Sequence, residues 1–262
     1  SLANDMGVDT IHDFMKPLGF GQITGIDLPG EVRGILPSTE WKRNYYKKPE
    51  QKKWFGGETI SLGIGQGYNT FTMLQLASAT ATLASGGMQF KPHVVTATQD
   101  ALTHVPAQVN SPEPLNLGFK PEHMSVVRSG LVGVVTSGTS ARVFAGAGYT
   151  SAGKTGTAQA VTIGQKDKYN AANLSEYQRD HALYMAYAPA EAPKIAVAVV
   201  VENAGFGAAS AAPIARRVFD YWLLGQYPSE EDMAATQKGQ TASPIGKPRT
   251  KQDVPLEARR LN

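Results

Sequence analysis

The sequence predicts an α/β fold of the α+β type, in which helices flank an antiparallel sheet. Two extended apolar runs, residues 181–188 and 194–202, are separated by a short link bounded by prolines, a pattern that favours an antiparallel hairpin. The segment Lys154-Thr155-Gly156-Thr157 lies between apolar stretches and is predicted to be a third strand of the same sheet. Segments with helical periodicity occur on both sides of these strands.

The first helical segment covers residues 1–16. Its apolar residues have near-helical spacing interrupted at Gly7, and Asp9 is placed to cap a second short helix. Pro17 and Gly19 are expected to end that helix.

Residues 41–54 are dominated by lysine, tyrosine and proline, and they are predicted to form a surface loop. The alternative for this loop is a basic and aromatic docking surface. Its residues would be Arg43, Tyr45, Tyr46, Lys47 and Lys48.

Two further helices are predicted before the central strand. The first is capped by Asn69 or Thr70 and closed by Gly86-Gly87. The second runs from Pro121, a residue allowed in a first helical turn, to Gly138. Both helices have one apolar face, and we interpret them as structural.

The chain is predicted to end in a helix and a polar tail. Pro213 to Leu224 forms the helix, which Gly225 stops. Residues 226–262 contain few apolar residues and many Gly, Pro, Thr, Gln and charged residues, so a mostly disordered tail is expected.

Composition excludes several classes of protein. The 262 residues are 42% hydrophobic, which is enough for a sizeable core. The net charge of +3 favours neither nucleic acid nor an anionic membrane surface as a partner. Without cysteine the chain has no disulfide and no thiol catalysis, and no apolar run is long enough to span a bilayer.

No metal or other cofactor is predicted. The histidines are far apart and show neither H-x-x-H nor H-E-x-x-H spacing. They are His12, His93, His104, His123 and His181.

The segment Lys154-Thr155-Gly156-Thr157 carries the chemistry that the sequence suggests. In a strand, the hydroxyls of Thr155 and Thr157 lie on one face about 6.5 to 7 Å apart, a spacing that suits a carboxylate. Gly156 allows another backbone or a ligand to approach closely. Lys154 adds positive charge beside a bound anion.

Two other motifs overlap this segment. Residues 148–155, G-Y-T-S-A-G-K-T, match the phosphate-binding loop pattern, although the flanking residues favour neither a preceding buried strand nor a following helix. Ser151 and Lys154 match the S-x-x-K pattern of acylated serines. Because that lysine also begins K-T-G, we interpret Ser151 as a coincidental match.

Four segments and the final hairpin and helix, taken in order, resemble a known family, and R-D-H-A at 179–182 is a further cue. The segments are G-I-D-L-P-G-E at 25–31, G-I-G-Q-G-Y at 63–68, S-G-T-S at 137–140 and G-K-T-G-T-A-Q at 153–159. They resemble the transpeptidase domain of class B penicillin-binding proteins, particularly penicillin-binding protein 2 of Gram-negative bacteria. The resemblance covers about residues 1–225 and implies the penicillin-binding-protein and serine β-lactamase-like fold.

The resemblance implies a peptidoglycan D,D-transpeptidase with a role in cell elongation and shape. Such an enzyme cross-links stem peptides ending in D-Ala-D-Ala through a serine acyl-enzyme and is inhibited by β-lactams. Lys154, Thr155, Gly156 and Thr157 would bind substrate, and the backbone N–H of Thr157 would be one of two oxyanion donors. The implied partners are a membrane glycosyltransferase and elongation-complex proteins, at the periplasmic face of the inner membrane.

The chain departs from the family pattern at its amino end. The acylated serine with its lysine, and the second motif of type S-x-N or S-x-D, stand well before K-T-G in the family and are not found upstream here. We therefore expect the amino-terminal part of the domain to be missing and this chain to be inactive alone. The alternatives are a phosphate-loop NTPase and a non-catalytic binding domain of the same fold.

Overall fold

The computed structural model describes residues 1–159, 175–240 and 243–254. The chain folds into two compact units, residues 1–119 and residues 120–262. In the part of the chain that is described, no helix is both long and apolar enough to cross a membrane.

The first unit is mainly helical. A buried cluster forms its core and comprises Leu18, Phe20, Leu36 and Ala79. Its helices are α1 (Leu2–Met6), α2 (Val8–Met15), α3 (Thr39–Tyr45), α4 (Pro49–Lys52), α5 (Gly56–Leu62) and α6 (Met73–Ala84). Four short strands form two antiparallel pairs, in which β1 (Met88–Gln89) pairs with β4 (Leu115–Asn116) and β2 (Ala97–Gln99) pairs with β3 (Pro106–Gln108).

The break in the first helical segment is confirmed, but its predicted cap is wrong. Gly7 separates α1 from α2 and is itself the N-cap of α2, with a φ of 78°. Asp9 lies one residue inside the helix, where its carboxylate accepts bonds from the backbone N–H and the hydroxyl of Thr39 at 2.8 and 2.7 Å. A long-range contact therefore takes the place of the local cap.

The prediction of a surface loop at residues 41–54 is wrong, because α3 and α4 occupy most of it. Ser38 caps α3 through its hydroxyl, which accepts from Trp41 N at 2.9 Å. Lys42 is only 3% exposed. Its ammonium pairs with Glu58 and lies 5.3 to 5.5 Å from the ring centroids of Trp54, Phe55 and Tyr68. A buried cation and its aromatic neighbours thus order a segment of polar composition.

Helix α6 is confirmed, although its cap lies two or three residues later than predicted. Thr72 is the N-cap and forms a capping box with Gln75. Gln75 is fully buried and also donates to the carbonyls of Gln22 and Arg33 at 2.5 and 2.7 Å. The predicted end at Gly86-Gly87 is confirmed, with φ values of 76° and 105°.

The second unit contains the predicted three-stranded antiparallel sheet. Strands β5 (Ala152–Ala158), β6 (His181–Ala188) and β7 (Ile195–Val201) are arranged in the order β5-β6-β7. On β6 every second residue is fully buried and belongs to the core of this unit, namely Ala182, Tyr184, Ala186 and Ala188. This alternation is expected of a sheet that packs on one face.

Helices α7 (Pro121–Thr136), α8 (Ala141–Phe144) and α9 (Gly207–Leu224) pack with the sheet. Helix α7 begins at the predicted Pro121 and ends at Thr136, two residues before the predicted Gly138. Helix α9 begins six residues before the predicted Pro213, so this proline lies within the helix. The preceding stretch is rich in alanine, a strong helix former, and burial of Ala211, Ala212 and Ala215 at 0% exposure favours its helical continuation.

Residues 226–240 and 243–254 have more structure than the predicted disordered tail. They include α10 (Glu230–Gln237) and a bridge between Tyr227 and Arg249. Asp232 on α10 is 1% exposed and accepts two bonds from Arg217 of α9, at 2.8 and 2.5 Å. This long-range ion pair, which composition does not reveal, orders the segment. Residues 241–242 and 255–262 lie outside the described residues, and the predicted domain boundary at residue 225 stays a prediction.

We predict that Asp232→Asn loosens α10, because the change leaves the Arg217 guanidinium largely buried without its carboxylate. Amide hydrogen exchange in residues 230–237 should become about 100-fold faster. The matched control is Glu230→Gln on the same helix. Glu230 is 88% exposed and lies 3.9 Å from Arg249, so exchange should change less than about twofold. Equal exchange in both variants would contradict this role of the buried pair.

Candidate active site

The four residues Lys154, Thr155, Gly156 and Thr157 lie in the middle of strand β5, as predicted. Lys154 is exposed, and the other three are partly buried. Regular pairing with β6 sets Thr155 opposite Tyr184 and Thr157 opposite Ala182. The two threonine side chains therefore share one face of the strand.

Strand β5 lies at one edge of the sheet. Among the described residues, β6 is the strand that pairs with it, and no strand pairs with its other edge. An edge strand presents backbone donors and acceptors that an extended peptide can use to add a further strand. The site residues thus lie where a peptide could bind beside them.

The polar groups of the site converge near Thr155. Its hydroxyl lies 3.0 Å from the hydroxyl of Thr139, which follows α7. The Lys154 ammonium donates to the carbonyl of Thr155 at 2.6 Å. Ammonium and hydroxyl groups both donate hydrogen bonds that a carboxylate can accept.

Tyr184 supports β5 from the buried face. Its hydroxyl bonds to that of Ser140 at 3.0 Å, and the Ser140 hydroxyl also donates to the carbonyl of Val134 at 3.2 Å. The ring of Tyr184 lies 6.0 Å from that of Phe144. Burial raises the pKa of Tyr184 to about 12, while the Ser140 bond lowers it.

Glycine is required at two positions around this support. A Cβ on Gly153 would lie 2.6 Å from the Tyr184 hydroxyl oxygen. A Cβ on Gly207, the first residue of α9, would lie 2.1 Å from the carbonyl oxygen of Leu183 and 2.5 Å from that of Gly156. The close approach of α9 to the backbone of Gly156 therefore depends on Gly207, whereas a Cβ on Gly156 itself would lie 3.3 Å from the Cβ of Leu183.

The structure contradicts the phosphate-binding loop. In that motif the lysine and the following threonine lie where a loop enters a helix, whereas Lys154 and Thr155 lie inside a strand. The alternative NTPase prediction is therefore wrong. Ser151 is 3% exposed, its hydroxyl has no hydrogen-bond partner among the described residues, and Lys154 is exposed. This arrangement agrees with the interpretation of Ser151 as a coincidental match to S-x-x-K.

The comparison with known families agrees with this geometry. The family model for the penicillin-binding protein transpeptidase domain matches residues 1–220. The chain belongs to the penicillin-binding protein transpeptidase family. The transpeptidase fold predicted from the motifs is confirmed.

Individual members of the transpeptidase family are similar over most of this chain. The peptidoglycan D,D-transpeptidase MrdA of Acinetobacter baumannii is 46% identical over 224 residues, which are 85% of this chain and 32% of that protein. Among solved structures, Pseudomonas aeruginosa PBP2 in complex with WCK 5153 has 38% sequence identity to this chain and a TM-score of 0.66. The match covers 85% of this chain and 46% of that chain. The complex between PBP2 and MreC from Helicobacter pylori contains a chain with 27% sequence identity and a TM-score of 0.66. The match covers 86% of this chain and 37% of that chain.

The chain spans about a third of the length of the curated transpeptidases that it matches. Because the match covers only this part of the relatives, the activity, substrates and partners of the whole protein are proposals. The functional residues named from the sequence also stay predictions. Within residues 1–159, 175–240 and 243–254, no cluster of three His, Asp or Glu side chains could hold a metal ion.

Several residues around this candidate site have no role that the sequence predicts. Thr139 and Ser140 belong to S-G-T-S, which serves only as a family motif, and Tyr184 is predicted only as part of an extended run. The sequence does contain a signal for the role of Tyr184, because alanines occupy the alternate positions around it on β6. A single large polar side chain among alanines indicates a specific buried hydrogen-bond partner. The polar composition of residues 169–179 predicts a loop or short helix that lines the cleft, and residues 169–174 of it lie outside the described residues.

We predict that Tyr184 makes stability fall at alkaline pH. In the unfolded chain a tyrosine loses its proton near pH 10. In the folded chain Tyr184 keeps its proton up to a pKa of about 12. Between these values the folded state binds more protons, so rising pH favours unfolding. The loss should reach about 2 to 3 kcal/mol across this range.

Urea unfolding of the wild type and Tyr184→Phe at a series of pH values measures this effect. The stability advantage of the wild type should narrow between pH 10 and 12, where the variant lacks the titrating group. Tyr177→Phe, which removes an exposed hydroxyl, is the control and should show no such narrowing. An advantage of the wild type that stays constant with pH would contradict the proposed burial of the Tyr184 hydroxyl.

Proposed function

We propose that this chain forms the substrate-binding part of a serine D,D-transpeptidase that cross-links peptidoglycan stem peptides. The observation that supports the proposal is the position of Lys154-Thr155-Gly156-Thr157 on an edge strand in a chain of this family. The proposed substrate is an extended peptide ending in D-Ala-D-Ala, and β-lactams are proposed as inhibitors that react in its place.

Each residue of the segment has a separate role in this proposal. The hydroxyls of Thr155 and Thr157, with the Lys154 ammonium, bind the terminal carboxylate of the peptide. The backbone N–H of Thr157 is one of two donors to the oxyanion that forms when the scissile carbonyl is attacked. A preorganised donor of this kind contributes about 3 to 4 kcal/mol to transition-state stabilisation. Gly207, where a Cβ would lie 2.5 Å from the carbonyl oxygen of Gly156, allows α9 to pack closely against the strand.

The attacking serine is proposed to lie outside the sequence printed here. The one S-x-x-K match pairs Ser151 with Lys154, and Ser151 is buried while Lys154 is exposed. A nucleophile needs its base within hydrogen-bond reach and needs access to substrate. We therefore propose that the chain binds the peptide but does not form an acyl-enzyme alone.

We propose that the longer protein assembles with a membrane glycosyltransferase and with elongation-complex proteins. The support for the second of these partners is the structure of a similar PBP2 in complex with MreC. We further propose that it works in cell elongation and shape at the periplasmic face of the inner membrane, where a peptidoglycan-cross-linking enzyme meets its substrate.

Intact-mass measurement after incubation with a penicillin tests whether the attacking serine lies outside this chain. This chain should gain no covalent adduct, whereas the longer protein that contains it should gain one penicillin per molecule. Ser151→Ala is the control and should leave both results unchanged. An adduct on this chain that disappears in Ser151→Ala would overturn the proposal. Failure of the longer protein to react would instead favour a non-catalytic binding domain of the same fold.

A further inference from the structure

Thr139 is a polar side chain at the proposed carboxylate site for which no role has been given. Its hydroxyl oxygen lies 3.0 Å from that of Thr155, and this hydrogen bond is exposed to solvent. Thr139 itself is exposed. No other side-chain hydrogen bond of Thr139 occurs among residues 1–159, 175–240 and 243–254.

Either of the two hydroxyls can be the donor in this contact. Each hydroxyl has one proton to donate and two lone pairs that can accept. When Thr139 donates to Thr155, the proton of Thr155 remains available for a bound anion. A hydroxyl that accepts one bond is also a stronger donor in the next, since hydrogen bonds in a chain polarise each other.

The turn that carries Thr139 is fixed by its neighbours. Gly138 packs so closely that a Cβ there would lie 2.7 Å from the Cα of Val134. The amides of Ser137 and Gly138 both donate to the carbonyl of Gly133, at 3.0 and 2.8 Å. These contacts limit the positions that the Thr139 side chain can take, so its hydroxyl is held beside β5.

Ser140 attaches the same turn to the sheet from the other side. It is fully buried, and its hydroxyl bonds to that of Tyr184, the residue paired with Thr155 across the strands. Ser140 thus contacts β6 through a buried hydrogen bond, and the adjacent Thr139 contacts β5 through an exposed one. The buried contact of Ser140 holds the turn independently of the exposed hydroxyl of Thr139.

We propose that Thr139 is a positioning residue that orients the Thr155 hydroxyl to donate to the carboxylate of a peptide or β-lactam. This inference rests on the proposed function, in which Thr155 binds that carboxylate. Thr139 acts through Thr155. The substrate class that it serves is an extended peptide, or a β-lactam, with a free carboxylate next to the reacting carbonyl.

A purely structural role for Thr139 makes a different prediction. A contact that only fastens the turn to β5 would affect every acylating compound equally and would lower stability. A positioning role affects only compounds that carry a carboxylate. Comparison of a penicillin with its methyl ester separates the two roles, because the ester keeps the β-lactam ring and lacks the negative charge.

The test measures second-order acylation rates of the longer protein with the penicillin and with its methyl ester. The wild type should react faster with the free acid. Thr139→Val should slow acylation by the free acid about tenfold, the size expected for a lost hydrogen bond in a chain that ends on a charged group. It should leave acylation by the ester within about twofold. Thr139→Ser, which keeps the hydroxyl, should restore most of the rate.

Two further variants complete the experiment. Thr136→Val removes a nearby exposed hydroxyl, which donates to the carbonyl of Val132, and should change neither rate. Because Thr139 acts through Thr155, the double variant Thr139→Val with Thr155→Val should be no slower than Thr155→Val alone. Thermal unfolding of each variant shows whether the fold is retained.

The outcomes distinguish this inference from the function on which it rests. If the wild type reacts equally with acid and ester, the carboxylate role of the site itself fails. If the wild type discriminates and Thr139→Val discriminates equally well, only the role of Thr139 is overturned. Equal slowing of acid and ester by Thr139→Val would also overturn it, since a structural contact gives that result.

Discussion

The buried side chain of Tyr184 is the group on which the geometry of the site depends. It is fully buried, it pairs with Thr155 across the strands, and its hydroxyl bonds to Ser140. Its ring fills the space that a side chain at position 153 would need. A single residue therefore links strand β5, the turn after α7 and the core of the second unit. Moving it would shift Thr155 and its neighbours on β5.

The consequence is a strand that is rigid on one face and available at its edge. Gly207 packs against the backbone of Gly156, so the start of α9 supports the middle of β5. The other edge of β5 is not paired with a strand in the part of the chain that is described. Preorganised binding requires this combination, because donors that are already held in place lose little freedom when a ligand arrives.

The sheet and the position of the site could be predicted because their signals are local. Alternation along β6 and a short link to β7 are properties of neighbouring residues, and the same is true of the alternating hydroxyls of Thr155 and Thr157. The predictions of a surface loop and of a disordered tail were wrong because the structure of those segments depends on residues distant in the sequence. Lys42 is buried because Glu58 and Tyr68 surround it, and α10 is ordered because Asp232 meets Arg217. The contact of Thr139 with Thr155 joins residues 16 positions apart and depends on the turn that carries it.

The most direct test of the central claim is a crystal structure of the longer protein acylated by a penicillin. The claim is that β5 supplies the carboxylate site while the attacking serine comes from outside this sequence. The penicillin carboxylate should lie within about 3 Å of the hydroxyls of Thr155 and Thr157, with the acyl bond to a serine upstream of residue 1. A carboxylate that contacts neither threonine, or an acyl bond to Ser151, would contradict the claim.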